Sequence, residues 1–437
     1  MLNKTRSSTD AGSTNSLGFV MPLKNEAPRR RLVIVGNGMV AGRFVDELLA
    51  RNGDVFDLTV IGAEPEGSYN RIMLSSVLAK SAVAQSLIQK DAEWYAARNI
   101  RFVAGATVSA IQRDTKTLHT VCGQQFSYDE LVLATGSRAA TIPAANSELE
   151  NIFLFRTLAD TDKIMSVARS AGSVLIVGGG LLGLEAAYGL AQFGIKVHLV
   201  HRSRWLLNRQ LDQNAAAMLQ SVMTAMGVDF YLGDEVACFH GDQKLNAATL
   251  KSGIELPADM AVIATGIVPN AELGHSAGLD VGRAVRVDDY MRTSDAAISA
   301  IGECIEHDGC TFGLVDPLWR QAQTLAERLV NKQLVAFKNA EIATKLKVSG
   351  VQVFSAGEVE DRPGLRRICI CDPGAKVYRK LLLENGRIRG IVLFGDVSSG
   401  NHYFELMQSG DPIPDVPERF IFGQAYCSNA DKADAAA

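Results

Sequence analysis

Two short runs carry residue types that could act on a phosphorylated ligand: Gly36-Asn37-Gly38-Met39-Val40-Ala41 and Gly178-Gly179-Gly180-Leu181-Leu182-Gly183. In each, the first glycine permits a tight turn and the second lets backbone N–H groups approach a pyrophosphate. The third small residue keeps a following helix close to its strand. A helix opening there faces phosphates with its partial positive charge. Glu64 lies 23 residues beyond Ala41, near the spacing of a carboxylate that binds a ribose diol. A second acid, Glu185, stands two residues after Gly183. One glycine turn alone is weak evidence, because a turn without a ligand reads the same way. Strand, turn, helix and acid together read as a dinucleotide site.

Those groups need elements to hold them. Apolar residues from Leu32 to Val35 precede the first turn, Phe44, Leu48 and Leu49 follow at helical spacing, and Leu58–Glu64 reads as the next strand. Around the second turn, Ser173–Val177 reads as strand, Glu185–Phe193 as helix capped by Gly194, and Lys196–Val200 as strand. Each unit later ends a buried strand in the same triplet, Ala134-Thr135-Gly136 and Ala264-Thr265-Gly266. Fingerprint followed by triplet, twice in the same order, is an internal duplication on the scale of a domain. A further strand within Ala297–Cys304 ends at Gly302 and Glu303, where the acid could bind polyol hydroxyls or simply close a turn. Strand patterns fall at Arg101–Val108 and Lys116–Val121, Trp94 and Tyr95 read as core, and Trp319–Val330 reads as a long helix. From Lys345 the texture changes to strands: Leu346–Phe354, Arg366–Cys371, Val377–Leu383 and Ile388–Phe394, with Glu384-Asn385-Gly386 as a hairpin turn. The expected fold class is therefore α/β, two Rossmann-like dinucleotide-binding domains plus a small C-terminal α+β domain. The expected divisions are 1–28 and 423–437 as disordered tails, 29–148 and 271–335 as the two parts of the first domain, 149–270 as the second, and 336–422 as the small one.

Composition bounds the rest. A length of 437 residues calls for two or three domains, and 47% hydrophobic with 21% charged residues is ordinary for a globular chain. A net charge of −4 gives no reason to expect nucleic acid or a membrane surface, and no apolar run reaches spanning length. The seven cysteines are scattered, without zinc spacing or C-x-x-C, which suits a reducing cytoplasm and predicts no metal site. Cys369 and Cys371, alternating on one strand, are expected as small buried hydrophobes. Two loops are ambiguous. Tyr69-Asn70-Arg71 could line a flavin or form a surface turn. His201-Arg202-Ser203-Arg204, whose first residue lies 18 beyond Gly183, could pair its arginines with a 2′-phosphate or be a solvated turn.

The order of these motifs resembles the pyridine nucleotide-disulfide reductases in the broad sense, with their glutathione reductase-like fold. Within them GNGMVAGRF, SYNRIMLSS, GGGLLGLEAA, RQLD (209–212), AIGEC and FGLV look closest to one group. That group joins the FAD/NAD half of the NAD(P)H-nitrite reductase large subunit with the electron-transfer subunits of assimilatory nitrate reduction. The likeness covers about residues 30 to 415; rubredoxin and ferredoxin reductases are more distant and carry a lysine where this chain has Ser76. The resemblance implies FAD along Gly36, Gly38, Met39, Val40 and Ala41, with Glu64 at the adenosine ribose and Arg71 near the flavin. It adds Val108, Ala134, Thr135 and Gly136 along the FAD, and Gly302 and Glu303 at the ribityl chain. It implies NAD(P)H along Gly178, Gly180, Leu182, Gly183, His201, Arg202, Arg204 and Gly266, with Glu185 beside the nicotinamide as the candidate catalytic group.

The implied chemistry is hydride transfer from nicotinamide C4 to flavin N5, followed by release of single electrons to a protein acceptor. The chain has no C-x4-C after the first fingerprint and no cysteine in Leu74-Ser75-Ser76, which disfavours the thiol-disulfide and the peroxidase branches. The metal centre that would reduce nitrate or nitrite is expected in a redox partner protein carrying an iron–sulfur, siroheme or molybdenum centre; a homodimer is left open. The arginines tilt the coenzyme expectation towards NADPH or dual use. The alternatives are a general rubredoxin or ferredoxin reductase and a non-catalytic flavin-binding sensor or scaffold.

Overall fold

The computed structural model describes residues 29–413 and 417–423, apart from 52 and 349; both expected tails otherwise lie outside the described residues. The duplication is visible in the sheets. The first is parallel, in the order Ile298–Ala300, Glu130–Leu133, Arg30–Val35, Phe56–Ile61, Arg101–Val103. The second repeats it: Ile152–Leu154, Met260–Ile263, Ser173–Val177, Lys196–His201, Val228–Leu232. In both, the strand entering the glycine turn lies at the centre, flanked by the strand that ends in Ala-Thr-Gly. Full burial on both faces explains why these strands are continuous apolar runs, as in Val174–Ile176 and Met260–Val262. Each unit also carries a three-stranded antiparallel meander, Val108–Gln112 to Gln125–Ser127 and Val236–His240 to Glu255–Pro257.

Immediately after the two triplets, Ser137–Ala139 and Ile267–Pro269 pair antiparallel and stitch the units together. Thr135 Oγ1 donates to the Asn270 carbonyl (2.8 Å) and Asn270 Nδ2 returns a bond to the Thr135 carbonyl (2.9 Å). The twin triplets therefore hold the junction as well as ending strands.

Several boundaries differ from expectation. The Arg101–Val108 pattern is two strands, because Gly105 takes φ +65° and turns the chain between them. Leu346–Phe354 likewise divides at Gly350 (φ +79°) into a hairpin of Thr344–Val348 and Val351–Gly357. The strand before Glu64 stops at Ile61, leaving the acid in the loop beyond. The helix after the second glycine turn is Leu181–Ala191, capped at Gln192, with Gly194 (φ +74°) past its end. The long helix begins at Val315, since Pro317 fits a first turn whose N–H groups need no helical partner, and its last turn, Glu327–Asn331, is π-helical. Asn385 and Gly386 both take positive φ, as the hairpin reading required.

The five-stranded antiparallel C-terminal sheet runs in the order Thr344–Val348, Val351–Gly357, Arg387–Phe394, Val377–Glu384, Arg366–Asp372. Cys369 and Cys371 are exposed, which corrects the expectation of burial: Arg366–Asp372 is an edge strand whose Ile368 and Ile370 take the inner face. One face of this sheet joins the core of the second unit, where Tyr378 and Phe394 pack with residues such as Leu184 and Leu219. That junction holds a buried ion cluster. Asp212, which caps the helix Gln213–Thr224, accepts from Tyr378 OH (2.5 Å) and Lys380 Nζ (3.0 Å), and Lys380 also reaches Asp361 (2.7 Å). Burial works against the Lys380 ammonium, but the bonds to Asp361 and Asp212 outweigh it and hold its pKa above the usual range. Lys380→Met strands a buried carboxylate, so it should cost about 3–5 kcal/mol. Urea unfolding followed by circular dichroism checks this; a transition at the wild-type midpoint would refute it.

Candidate functional site

The two glycine turns are built alike. Gly36 (φ +110°) and Gly178 (φ +121°) adopt a conformation only glycine takes easily, and a Cβ on either would run into the carbonyl of Ala134 or Ala264. Each first glycine donates to the neighbouring strand end, Gly36 N–H to Ile61 and Gly178 N–H to Val200, both at 2.8 Å. Gly183 is pressed against the Gly178 carbonyl, while Ala41 at the matching position is fully buried. By contrast, a Cβ on Gly38 or Gly180 would meet nothing within 4 Å. Both cap their helices without any side-chain hydrogen bond, so the first helical N–H groups of Met39–Ala50 and Leu181–Ala191 are left without a side-chain acceptor. An open face beside uncapped N–H groups fits the diphosphate of a dinucleotide at each turn.

Around the first turn, groups expected along the FAD form one network. Glu64 accepts from Tyr69 OH (2.7 Å) and pairs with Arg71. The Arg71 guanidinium lies 4.7 Å over the Tyr69 ring and donates to the Arg156 carbonyl (3.1 Å). Arg156 in turn pairs with Glu303, and Ser137 Oγ joins them, donating to Glu303 (2.7 Å) and accepting from Arg156 (2.8 Å). Gly302 (φ +99°) closes this end: its N–H donates to Gln321 Oε1 (2.7 Å), and Val40 stands against it. Burial pushes the Tyr69 phenol well above its usual range, so it remains a donor. Val108 begins the meander, half-buried against the same core, and Met39 is half-buried at the start of the helix.

At the second turn Glu185 lies half-buried one turn into the helix, hydrogen-bonded to Ser75 on the short helix Leu74–Leu78. Burial raises its pKa above the usual carboxylate range, and the Ser75 hydrogen bond opposes this only in part. Leu182 is half-buried and Gly266 (φ +126°) ends the triplet strand. His201 is committed locally, since its Nδ1 accepts the Gly179 N–H (3.1 Å) and its ring packs under that glycine. Burial and the charge of Arg202 lower its pKa, against hydrogen bonding to Asn208, which favours the protonated ring. Arg202 and Arg204 are exposed, and among the described residues neither pairs with a carboxylate.

Sequence reading named the turns, triplets and acids, but missed Arg156, Ser137, Gln321 and Ser75. Arg156 directly precedes Thr157, which forms a capping box with Asp160. Its sequence context signals a helix start and nothing about Glu303, 147 residues away. Ser137 and Ser75 had only their place beside a named motif to mark them.

A family model described as pyridine nucleotide-disulphide oxidoreductase matches residues 30–328, and one described as rubredoxin NAD+ reductase C-terminal domain matches 343–411. The chain is 38% identical over 388 residues to a nitrite reductase [NAD(P)H] of Bacillus subtilis (strain 168), covering 89% of this chain and 48% of that protein. It is 37% identical over 368 residues to the assimilatory nitrate reductase electron transfer subunit of the same organism, covering 84% and 48%. It thus spans about half the length of these relatives. The crystal structure of a covalent putidaredoxin reductase–putidaredoxin complex superposes with a TM-score of 0.82 at 25% identity, covering 93% of this chain and 99% of that one.

Proposed function

The chain belongs to the pyridine nucleotide-disulphide oxidoreductase family, and from that premise we propose that it passes electrons from NAD(P)H through FAD to a redox partner protein of nitrate or nitrite assimilation. It is an oxidoreductase of the FAD- and NAD(P)H-dependent kind. The single observation that carries the reading is the matched pair of open glycine turns, since one bound flavin needs one turn and a turnover coenzyme needs the second. FAD held at the first turn would supply the chemistry that links two-electron hydride acceptance to one-electron release. The chain's own part is to bind and orient. Gly38 and Gly180 would admit the diphosphates, Glu64 would hold the adenosine ribose, Arg71 would lie near the flavin, Glu303 with Ser137 and Arg156 would fix the ribityl side, and Glu185 would hold a proton or a charge beside the nicotinamide. The relatives' names, a nitrite reductase and an assimilatory nitrate reductase electron transfer subunit, support an acceptor in nitrogen assimilation; the acceptor in this reading is a protein bearing an iron–sulfur, siroheme or molybdenum centre. Among the described residues no helix is long and apolar enough to cross a membrane.

The test is anaerobic mixing of the FAD-loaded protein with NADPH or NADH while the flavin band is followed, then addition of an assimilatory nitrite or nitrate reductase partner. Rapid bleaching with either coenzyme and reoxidation by the partner is expected; a chain that takes up no flavin defeats the reading. The unpaired Arg202 and Arg204 support NADPH. Replacing both with glutamine should weaken NADPH by roughly 10- to 100-fold and leave NADH nearly unchanged, since charge-assisted bonds to a phosphate contribute about 1.5–3 kcal/mol. Equal loss with both coenzymes would show that the arginines do not read the 2′-phosphate.

A further inference from the structure

We propose that the hairpin around His307 and Asp308 is a binding site for a divalent first-row transition metal, with Asp289 orienting the imidazole. It is independent of the dinucleotide reading. Ile305–His307 and Cys310–Thr311 pair antiparallel through a two-residue turn in which Asp308 (φ 47°) and Gly309 (φ 70°) are both left-handed. Asp-Gly suits such a turn, and it sets the Asp308 carboxylate beside the imidazole.

His307 is only 3% exposed and packs edge-on against Phe337, with ring centroids 5.2 Å apart. Its Nε2 lies 2.9 Å from Asp289 Oδ1. An ionised carboxylate only accepts, so Nε2 carries the hydrogen, and in the neutral imidazole Nδ1 keeps a lone pair able to ligate a metal. That Nδ1 is buried without a hydrogen-bond partner, and what faces it is another acceptor, Asp308 Oδ2, at 3.8 Å. Two acceptors facing each other are reconciled by a cation between them. Metal–nitrogen and metal–oxygen bonds near ~2.1 Å span roughly 3.4 Å at a tetrahedral angle and about 3.8 Å when it opens towards ~130°. A histidine that donates its other N–H to a carboxylate is also how proteins fix a ligating imidazole.

The ligand atoms offered by Asp289, His307 and Asp308 all lie within 4.8 Å of one another. Among the described residues no lysine or arginine pairs with Asp308, whose side chain is 84% exposed and leaves room for water to complete the coordination. Imidazole with carboxylate favours zinc, cobalt or nickel over calcium or magnesium. Phe337 N–H donates to the Asp289 carbonyl (2.8 Å), so an ion here fastens the hairpin to the segment that leads to the C-terminal sheet.

The test uses the flavin-loaded full chain, stripped of metal by chelator. It is titrated with Co2+ by visible absorption and equilibrium dialysis, then with Zn2+ by calorimetry. One saturable ion per chain is expected. Asp308→Asn should weaken it at least about 10-fold and Asp289→Asn by roughly 10- to 100-fold, with unfolding of the metal-free protein unchanged because both acids are exposed. Absence of a saturable ion in the wild type, or binding by both variants as tight as wild type, overturns the proposal.

Discussion

Gly180→Val should give a yellow protein that NAD(P)H no longer bleaches but dithionite still does. The argument rests on where a new side chain would go. Gly180 has φ −85° and ψ −174°, ordinary extended backbone, and a Cβ there meets no protein atom within 4 Å. The fold therefore has open space where the new side chain begins, and the expected loss comes from whatever has to approach that face. Excluding a coenzyme diphosphate from uncapped helical N–H groups should slow flavin reduction by at least about 100-fold, or roughly 2.7 kcal/mol. Gly38→Val is the mirror experiment, folded but colourless, because Gly38 is equally open. Gly178→Val is the contrast: φ +121° and the Ala264 carbonyl make it a folding defect. Rapid anaerobic bleaching of Gly180→Val by NADPH, with an unchanged unfolding temperature, would remove the second turn from the coenzyme site.

That contrast also shows what was readable in the chain. Gly36 and Gly178 are local signals, because a positive φ beside a strand end can be met by few residue types. The parallel sheets were legible for a related reason, as burial on both faces writes uninterrupted apolar runs. Turn positions inside mixed stretches were not, and Gly105 and Gly350 each split a pattern read as one strand. Cys369 and Cys371 failed on edge position, since strand alternation does not say which face meets solvent at the rim of a sheet. The network at Glu303 was closed to sequence reading altogether. Ser137 and Arg156 meet it only because the paired strands after the two triplets fix how one unit sits on the other. Likewise, Asp212 was legible as part of a motif, but its buried partners Tyr378 and Lys380 come from a separate sheet.

Glu185→Gln should slow flavin reduction by roughly 10- to 100-fold at neutral pH and flatten its pH profile. Glu185 is half-buried, and Ser75 supplies it a neutral hydrogen bond. Burial disfavours the charged form, so the carboxyl stays protonated to a higher pH than an ordinary glutamate. Once ionised, it favours the positive charge that develops on a nicotinamide ring giving up hydride, and one charge in a partly screened site supplies a few kcal/mol at most. The rate in the wild type should therefore rise as pH climbs through the raised pKa, whereas the glutamine variant should show no such rise. Stability runs the other way. A carboxyl whose folded pKa lies above its unfolded one stabilises the fold least once both states are ionised. Glu185→Gln should consequently unfold at a higher temperature than wild type near neutral pH, and the difference should vanish in acid, below the unfolded pKa. Stopped-flow bleaching at several pH values, beside thermal unfolding of the same samples, separates the two effects. A variant that is slower but keeps the wild-type pH dependence would assign the titration to another group and reduce Glu185 to a packing role at the start of its helix.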